Sequence, residues 1–322
     1  MTALIKAIKA NPQYKSILVI TLMLAAMLSV MSAIVPTFGT SENIGNVLVQ
    51  FVPLAIASLG QTFAIISGGI DLSIGVMISA TTALAAITMN PDKIGVVRGL
   101  LFVILLGVAV GLFNGVGISF LGVPPLITTL SSMTILQGVT LTILHTPGGA
   151  IDRSFSIFVM MRKGLASMPL LILLLTYFVL RFVLYNTRFG LHIYAVGENE
   201  KIASSTGINV KKTLLGAYVT TSLCGVVAGL VLACRIRTGD PLIGTPFALD
   251  SITAAVIGGT ALTGGSGLLV GSIIGALIIG FLSNIMNSLG VSAFWQFILK
   301  GLLLILTMVI YTLINQMGRK GK

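Results

Sequence analysis

Charge is scarce in this sequence: Lys, Arg, Asp and Glu make up 8% of its 322 residues, against 56% hydrophobic residues. A soluble domain carries about a quarter charged residues. The chain therefore cannot cover the surface of a water-soluble enzyme, and disordered and nucleic-acid-binding classes are excluded with it. Most of its surface must face lipid, with short aqueous segments. Cysteine is nearly absent. Cys224 and Cys234 stand ten residues apart in one apolar segment, far apart along a helix, which excludes a disulfide between them. The two histidines, His145 and His192, fall in different loops and make no metal or catalytic set. The glycine-rich run Ile257–Gly267 invites a phosphate-loop reading, but no Lys follows in the G-x-x-x-x-G-K-[ST] pattern. No nucleophile–base pairing and no carboxylate pair is visible, so the chain reads as something other than an enzyme.

What is present is a series of long apolar runs punctuated by charge. A helix needs about 20 apolar residues to cross the hydrocarbon core, and a charge at its centre is costly. Charge-free runs lie between Lys15 and Glu42, Glu42 and Asp71, Asp71 and Asp92, Lys163 and Arg181, Lys212 and Arg235, and Lys300 and Arg319. Two longer runs each hold a pair of spans. Arg98 to Asp152 breaks at Pro124-Pro125, and Asp250 to Lys300 breaks near Gly264-Gly265-Ser266-Gly267. The expectation is an all-α membrane protein of about ten transmembrane helices, forming one integral membrane domain over residues 1–322. The first apolar run exceeds a signal h-region of about 7–15 residues and is read as an uncleaved helix.

The net charge of +11 fits cationic loops beside anionic headgroups better than a nucleic-acid partner. An even span count puts both tails (1–15 and 316–322) on one side. Lys6, Lys9, Lys15, Arg319, Lys320 and Lys322 make that side cytoplasmic, together with a central loop over 186–212 carrying Arg188, Lys201, Lys211 and Lys212. The other side keeps Lys93, Arg98, Arg153, Arg162, Lys163, Arg235 and Arg237, so the bias is moderate. A division near residue 150 leaves two five-helix halves. Five is odd, so the second half would have inverted topology, with a pathway at the interface of the halves. The matching pairs Gly122-Val123 with Gly290-Val291 and Gly68-Gly69 with Gly258-Gly259 have different offsets, and the repeat signal is poor.

Four segments stand out. In Ser67–Gly75, Asp71 can cap the next helix or line a pathway. After Gly122-Val123-Pro124-Pro125, hydroxyls including Thr128 and Thr129 cluster early in a helix. They can bond back to i−4 carbonyls or form a weakly polar wall for a hydroxylated solute. Gln61, Asn114 and Gln137 share that ambiguity inside apolar spans. In the central loop, Asn199 is a good N-cap, Glu200 suits a first turn and Gly207 fits a left-handed C′ position. The spacing predicts a helix of about two turns. Ile202 is its one strongly apolar side chain, so docking of a soluble partner suits it better than lipid anchoring. Ile257–Gly267 reads as close packing or a break in a helix. Near the C-terminus, Trp295 is read as an interfacial anchor and Lys300 as snorkelling toward the same surface.

The stretches Ser67–Gly75, Val123–Gly138, Asn199–Ile208, Gly258–Gly267 and Trp295–Gly301 resemble, in order, the signature segments of permeases of ribose/galactose-type ABC sugar importers. The resemblance runs from about residue 40 to the C-terminus. It implies a multi-pass subunit of the bacterial cytoplasmic (inner) membrane that passes a monosaccharide or similar hydroxylated solute. It also implies a second permease subunit, identical or not, a cytoplasmic ABC ATPase pair and a periplasmic or lipid-anchored sugar-binding protein. ATP and Mg would be held by the ATPase, with no cofactor in this chain. The loop residues Glu198, Asn199, Glu200, Ala203 and Gly207 would then couple to the ATPase. Where the family commonly has Gly-Gly-Asn-Glu, this chain has Gly197-Glu198-Asn199-Glu200, which adds a negative charge before the cap. Gln61, Asp71, Asn114, Thr128, Thr129 and Gln137 are the candidates for the translocation path. An ion-gradient-driven secondary transporter is the alternative, with Asp71 and Lys300 as the near candidates for coupling groups.

Overall fold

The computed structural model describes residues 39–89, 94–292 and 294–303, with scattered positions between 21 and 32 and at 305, 306 and 309. The expectations for the two basic tails, and for Asp92 and Lys93, lie outside the described residues. Among those residues, six helices are long and apolar enough to cross a membrane: Ser41–Ile66, Gly95–Ser119, Pro125–Ile143, Met168–Asn186, Val210–Ile236 and Leu269–Ser288. Shorter apolar helices are Ser73–Thr88, Thr245–Ile257 and Phe294–Leu303. The protein is a multi-pass, all-α membrane protein.

The expected span between Lys15 and Glu42 falls largely outside the described residues, and the first described span is two pieces, α1 (Ser41–Gln50) and α2 (Val52–Ile66), bent at Phe51. Proline inside the first turn of α2 suits a helix start, where its missing N–H costs nothing. All fifteen residues of α2 are buried, and a helix apolar all round belongs at a centre. It is flanked by α10 (Val210–Ile236), α11 (Thr245–Ile257) and α12 (Leu269–Ser288), while α3 (Ser73–Thr88) lies against α10 and α11. Helix α10 in turn packs against α3 and α4 (Gly95–Ser119). Gly107, Gly111 and Gly115, spaced by four on α4, let its backbone approach Val226, Val219 and Leu215 of α10. In lipid, where helices gain little by hiding apolar surface from one another, such close approach carries much of the association.

The remaining helices line the outside. α5 (Pro125–Ile143) and α7 (Met168–Asn186) expose broad apolar faces. Between them lie α6 (Arg153–Val159) and an antiparallel hairpin of β1 (Arg162–Lys163) with β2 (Ala166–Ser167). Asp152 caps α6, its Oδ1 accepting from the Phe155 N–H at 2.8 Å, and Ser156 Oγ donates to the Cys234 carbonyl of α10 at 2.7 Å. At the same end, Gly148 and Gly239 exchange backbone hydrogen bonds at 2.9 Å. Both cysteines are buried on α10.

The breaks at Pro124-Pro125 and over Gly258–Leu268 fall where the sequence places them. Charge as punctuation fails at three positions. Arg181 lies inside α7, with its guanidinium carbon 5.5 Å from the Tyr185 ring centre, a stacking that needs no helix end. Asp250 lies inside α11 and Lys300 inside α13 (Phe294–Leu303). Lys300 does not snorkel. Its Nζ donates to Asp250 Oδ2 at 2.6 Å, because a charge in an apolar bundle is held best by its opposite. Trp295 is 61% exposed near the start of α13.

Candidate functional site

All four sequence segments meet at one end of the bundle. The loop over 186–212 holds two helices, α8 (Arg188–Glu198) and α9 (Glu200–Ser205), not the single one expected. Helix α8 starts at Thr187, whose Oγ1 accepts from the Gly190 N–H at 3.4 Å. The corner between α8 and α9 is the pivot of the site. Gly197 sits so close to the end of α2 that a Cβ there would collide with the Ile66 carbonyl. That same Ile66 carbonyl accepts from the Gly265 N–H at 2.9 Å. Tyr194 Oη donates to the Gly267 carbonyl at 2.8 Å. Burial pushes the Tyr194 hydroxyl well above its ordinary range, so it stays a donor. The α8–α9 corner is thus clamped, largely backbone to backbone, between the break after α2 and the break after α11.

Helix α9 is built as its sequence suggests. Asn199 Oδ1 accepts from the Ile202 N–H at 3.1 Å, Glu200 occupies the first turn, and Gly207 follows at φ 85°. Ala203 is its buried side chain, and the Ile208 N–H donates to the Ala203 carbonyl at 3.1 Å. Glu198, Asn199, Glu200, Lys201 and Ser204 face outward with Ile202, which is 64% exposed. A short capped helix held by one alanine presents nearly its whole perimeter to a neighbour.

Directly above this corner, four of the six path candidates gather round the α2–α3 break. Gln61, with its amide oriented to pair both groups, donates to the Asp71 carbonyl at 3.0 Å and accepts from the Asp71 N–H at 3.1 Å. Asp71 Oδ1 accepts from the Ser73 N–H at 2.8 Å and from Ser73 Oγ at 2.5 Å, capping α3. Asn114 Nδ2 donates to Ser73 Oγ at 2.9 Å, and Thr129 Oγ1 donates to the Ile70 carbonyl at 3.1 Å. Gln61, Asp71, Ser73, Asn114 and Thr129 are fully buried. The cluster joins α2, α3, α4 and α5 and supplies partners to buried backbone that has left the helix, as such backbone requires. Thr128 and Gln137 lie apart from it. Thr128 Oγ1 donates back to Pro124 at 3.3 Å, and Gln137 Nε2 donates to the Pro241 carbonyl at 3.0 Å.

An open cavity of about 800 Å³ lies between α9 and the bundle end. Its walls come from Ser67–Gly69, from the Gly122–Pro125 turn and from Glu200, Lys201 and Ser204 of α9. Asn209, Lys211 and Tyr218 of α10 and its approach complete it. Ser73, Tyr194, Lys211 and Tyr218 were not singled out by sequence reasoning. Nothing local marks Tyr194, Lys211 and Tyr218, whose neighbours Gly267, Phe120 and Gly69 are far off in sequence, while Ser73 is met both by Asp71, two residues before it, and by the distant Asn114. Among the described residues, no group of three or more His, Cys, Asp or Glu could hold a metal ion.

These features define a multi-pass membrane protein of broken helices that carries an outward capped helix clamped to both breaks. Comparison with known proteins gives the same class. Residues 43–308 match the family described as branched-chain amino acid transport system / permease component, and the chain belongs to that family. It is a transporter component and not an enzyme. It is similar to the ribose import permease protein RbsC of Escherichia coli (strain K12), 34% identical over 294 residues, 89% of this chain and 91% of that protein. RbsC of Bacillus subtilis (strain 168) is 35% identical over 287 residues, 87% and 88% of the two chains. The D-allose transport system permease protein AlsC of Escherichia coli (strain K12) is 30% identical over 296 residues, 91% and 90% of the two chains. No solved structure matches the chain.

Proposed function

We propose that this chain is the transmembrane permease subunit of an ATP-driven ABC importer for a monosaccharide or a similar small hydroxylated solute. The observation that carries the proposal is α9, an exposed capped helix whose root at Gly197 touches both Ile66 and the Gly264–Gly267 loop. A push on α9 reaches the two broken helices through rigid backbone contact. Glu198, Asn199 and Glu200 present the coupling surface, Ala203 seats the helix and Gly207 ends it. The relatives named for ribose and allose favour a sugar as cargo.

In this reading the subunit has ten spans, with both termini and α9 in the cytoplasm of a bacterial inner membrane. A cytoplasmic ATPase pair holds ATP and Mg, a binding protein delivers the sugar, and a second permease subunit completes the path. Gln61, Asp71, Asn114 and Thr129 stiffen the wall of that path from within, while Thr128 and Gln137 stand nearer its surface. The alternative, ion-gradient coupling, is weakened because Lys300 is neutralised by Asp250. The test is charge reversal at the coupling helix. With Glu200→Lys, the assembled importer should keep its folded permease and lose sugar uptake and sugar-stimulated ATP hydrolysis. Unchanged uptake would remove α9 from the coupling role.

A further inference from the structure

The cavity beneath α9 adjoins a second hollow at Val123. An apolar groove of about 490 Å³ runs between α4 and α5, lined by Leu112, Phe113, Val116, Leu121, Val123 and Thr128 among others. Val123 borders both hollows. The two meet at the turn where α4 ends at Ser119 and α5 begins at Pro125. One hollow sets cations and hydrogen-bonding groups among apolar walls, and the other is apolar and runs along the apolar helices α4 and α5. Lys201 and Lys211 line the polar part against the single carboxylate of Glu200, with Ser67, Ser204 and Asn209 as hydrogen-bonding groups. Lys211 is pinned at the rim, its Nζ 5.1 Å from the centre of the Phe120 ring. Tyr218 forms part of the floor, fully buried, with a hydroxyl that has no hydrogen-bond partner among the described residues.

We infer that this composite hollow is a binding site for one anionic glycerophospholipid of the leaflet facing α9. Its phosphate is held at Lys201 and Lys211, and one acyl chain lies in the α4–α5 groove. The charge balance selects an anion, because two cations face one acid. Basic pockets at the ends of membrane helices recognise anionic headgroups in this way. The apolar continuation selects a lipid over a free anion, since a small anion would leave the groove unfilled. A bound lipid would wedge between α9 and the Gly122–Pro125 turn, so its presence would set how far α9 can close on the bundle. The proposal depends on the orientation given above only for the name of the leaflet.

The experiment is native mass spectrometry of the full-length permease purified in detergent, titrated with phosphatidylglycerol, phosphatidylethanolamine or inorganic phosphate. Because it reads binding and not flux, it stands even if the transport reading falls. One phosphatidylglycerol should be retained in preference to phosphatidylethanolamine. Lys211→Glu should weaken that preference roughly tenfold, and Lys211→Gln by less, as expected when surface charge near a headgroup contributes on the order of 1 kcal/mol per cation. Val116→Trp, which fills the groove, should weaken long-chain phosphatidylglycerol while sparing a short-chain analogue. Unchanged thermal unfolding of the lipid-free variants separates lost binding from lost folding. Equal retention of the two lipids would overturn the site. Displacement of the lipid by inorganic phosphate alone would reduce it to a free-anion pocket. Loss of self-association instead of lipid in Val116→Trp would make the groove a protein interface.

Discussion

Lys300 Nζ lies 2.6 Å from Asp250 Oδ2, joining α13 to α11 within the apolar bundle, with both side chains mostly buried. This pair ties α13 to α11, a short helix that ends at a glycine-rich break. Helix α11 has 13 residues, about 20 Å of helix at 1.5 Å per residue, well short of a 30 Å hydrocarbon core. A helix too short to span is held by what it packs against, and the ion pair is part of that hold.

Removing one partner leaves a buried charge without compensation. Lys300→Met should therefore destabilise the protein by roughly 3 kcal/mol, and Asp250→Leu/Lys300→Met should recover most of the loss. Thermal unfolding of the two variants in one detergent checks this. Additive losses in the double variant would show that the pair is not coupled.

Gln61 satisfies both backbone groups of Asp71 in a fully buried site. Gln61→Ala strands a buried N–H and a buried carbonyl, each worth about 1–3 kcal/mol when left unpaired. Among the single variants considered, it should lower the unfolding temperature the most. A substitution that left stability unchanged would mean that Asp71 finds other partners.

Asn199 and Gly207 bracket α9. Asn199→Ala should cost about 1 kcal/mol of local helix stability and Asn199→Asp much less. Gly207→Ala forces a Cβ into the left-handed region at roughly 1 kcal/mol, with Gly207→Asn milder. Hydrogen exchange of residues 200–206 reads both, with faster exchange expected in the two alanine variants while the transmembrane helices keep their protection.

Gly197 admits no side chain against Ile66. Gly197→Ala should separate α9 from the bundle. In the assembled transporter, ATP hydrolysis should then lose its response to loaded binding protein. A fully coupled Gly197→Ala transporter would contradict the clamp as the transmission element.

Much of the helical layout is legible in sequence because lipid forbids unpaired charge. Charge-free runs therefore outline spans, and Pro124-Pro125 and Gly264-Gly265 mark breaks that only special backbone residues allow. The same logic misplaces Asp250, Lys300 and Arg181. A charge can enter a span when a partner meets it, and that partner is set by tertiary packing. The α9 helix is legible because its cap, first turn and stop are all local. Helix α8 is not, since its anchor is Gly197 against Ile66, more than a hundred residues apart. Gln61, Asp71 and Asn114 could each be flagged as polar residues in apolar surroundings, but their meeting round Ser73 is visible only once α2, α3 and α4 are packed.

The central claim is that energy enters this membrane subunit through α9 from an ATP-hydrolysing partner. The most direct measurement is sugar uptake by proteoliposomes holding the permease, its ATPase and its binding protein, with ATP inside and a protonophore present. The account predicts uptake that requires ATP and both partners, ignores the protonophore and disappears with Glu200→Lys. Uptake by the permease alone, driven by an ion gradient and abolished by the protonophore, would contradict it.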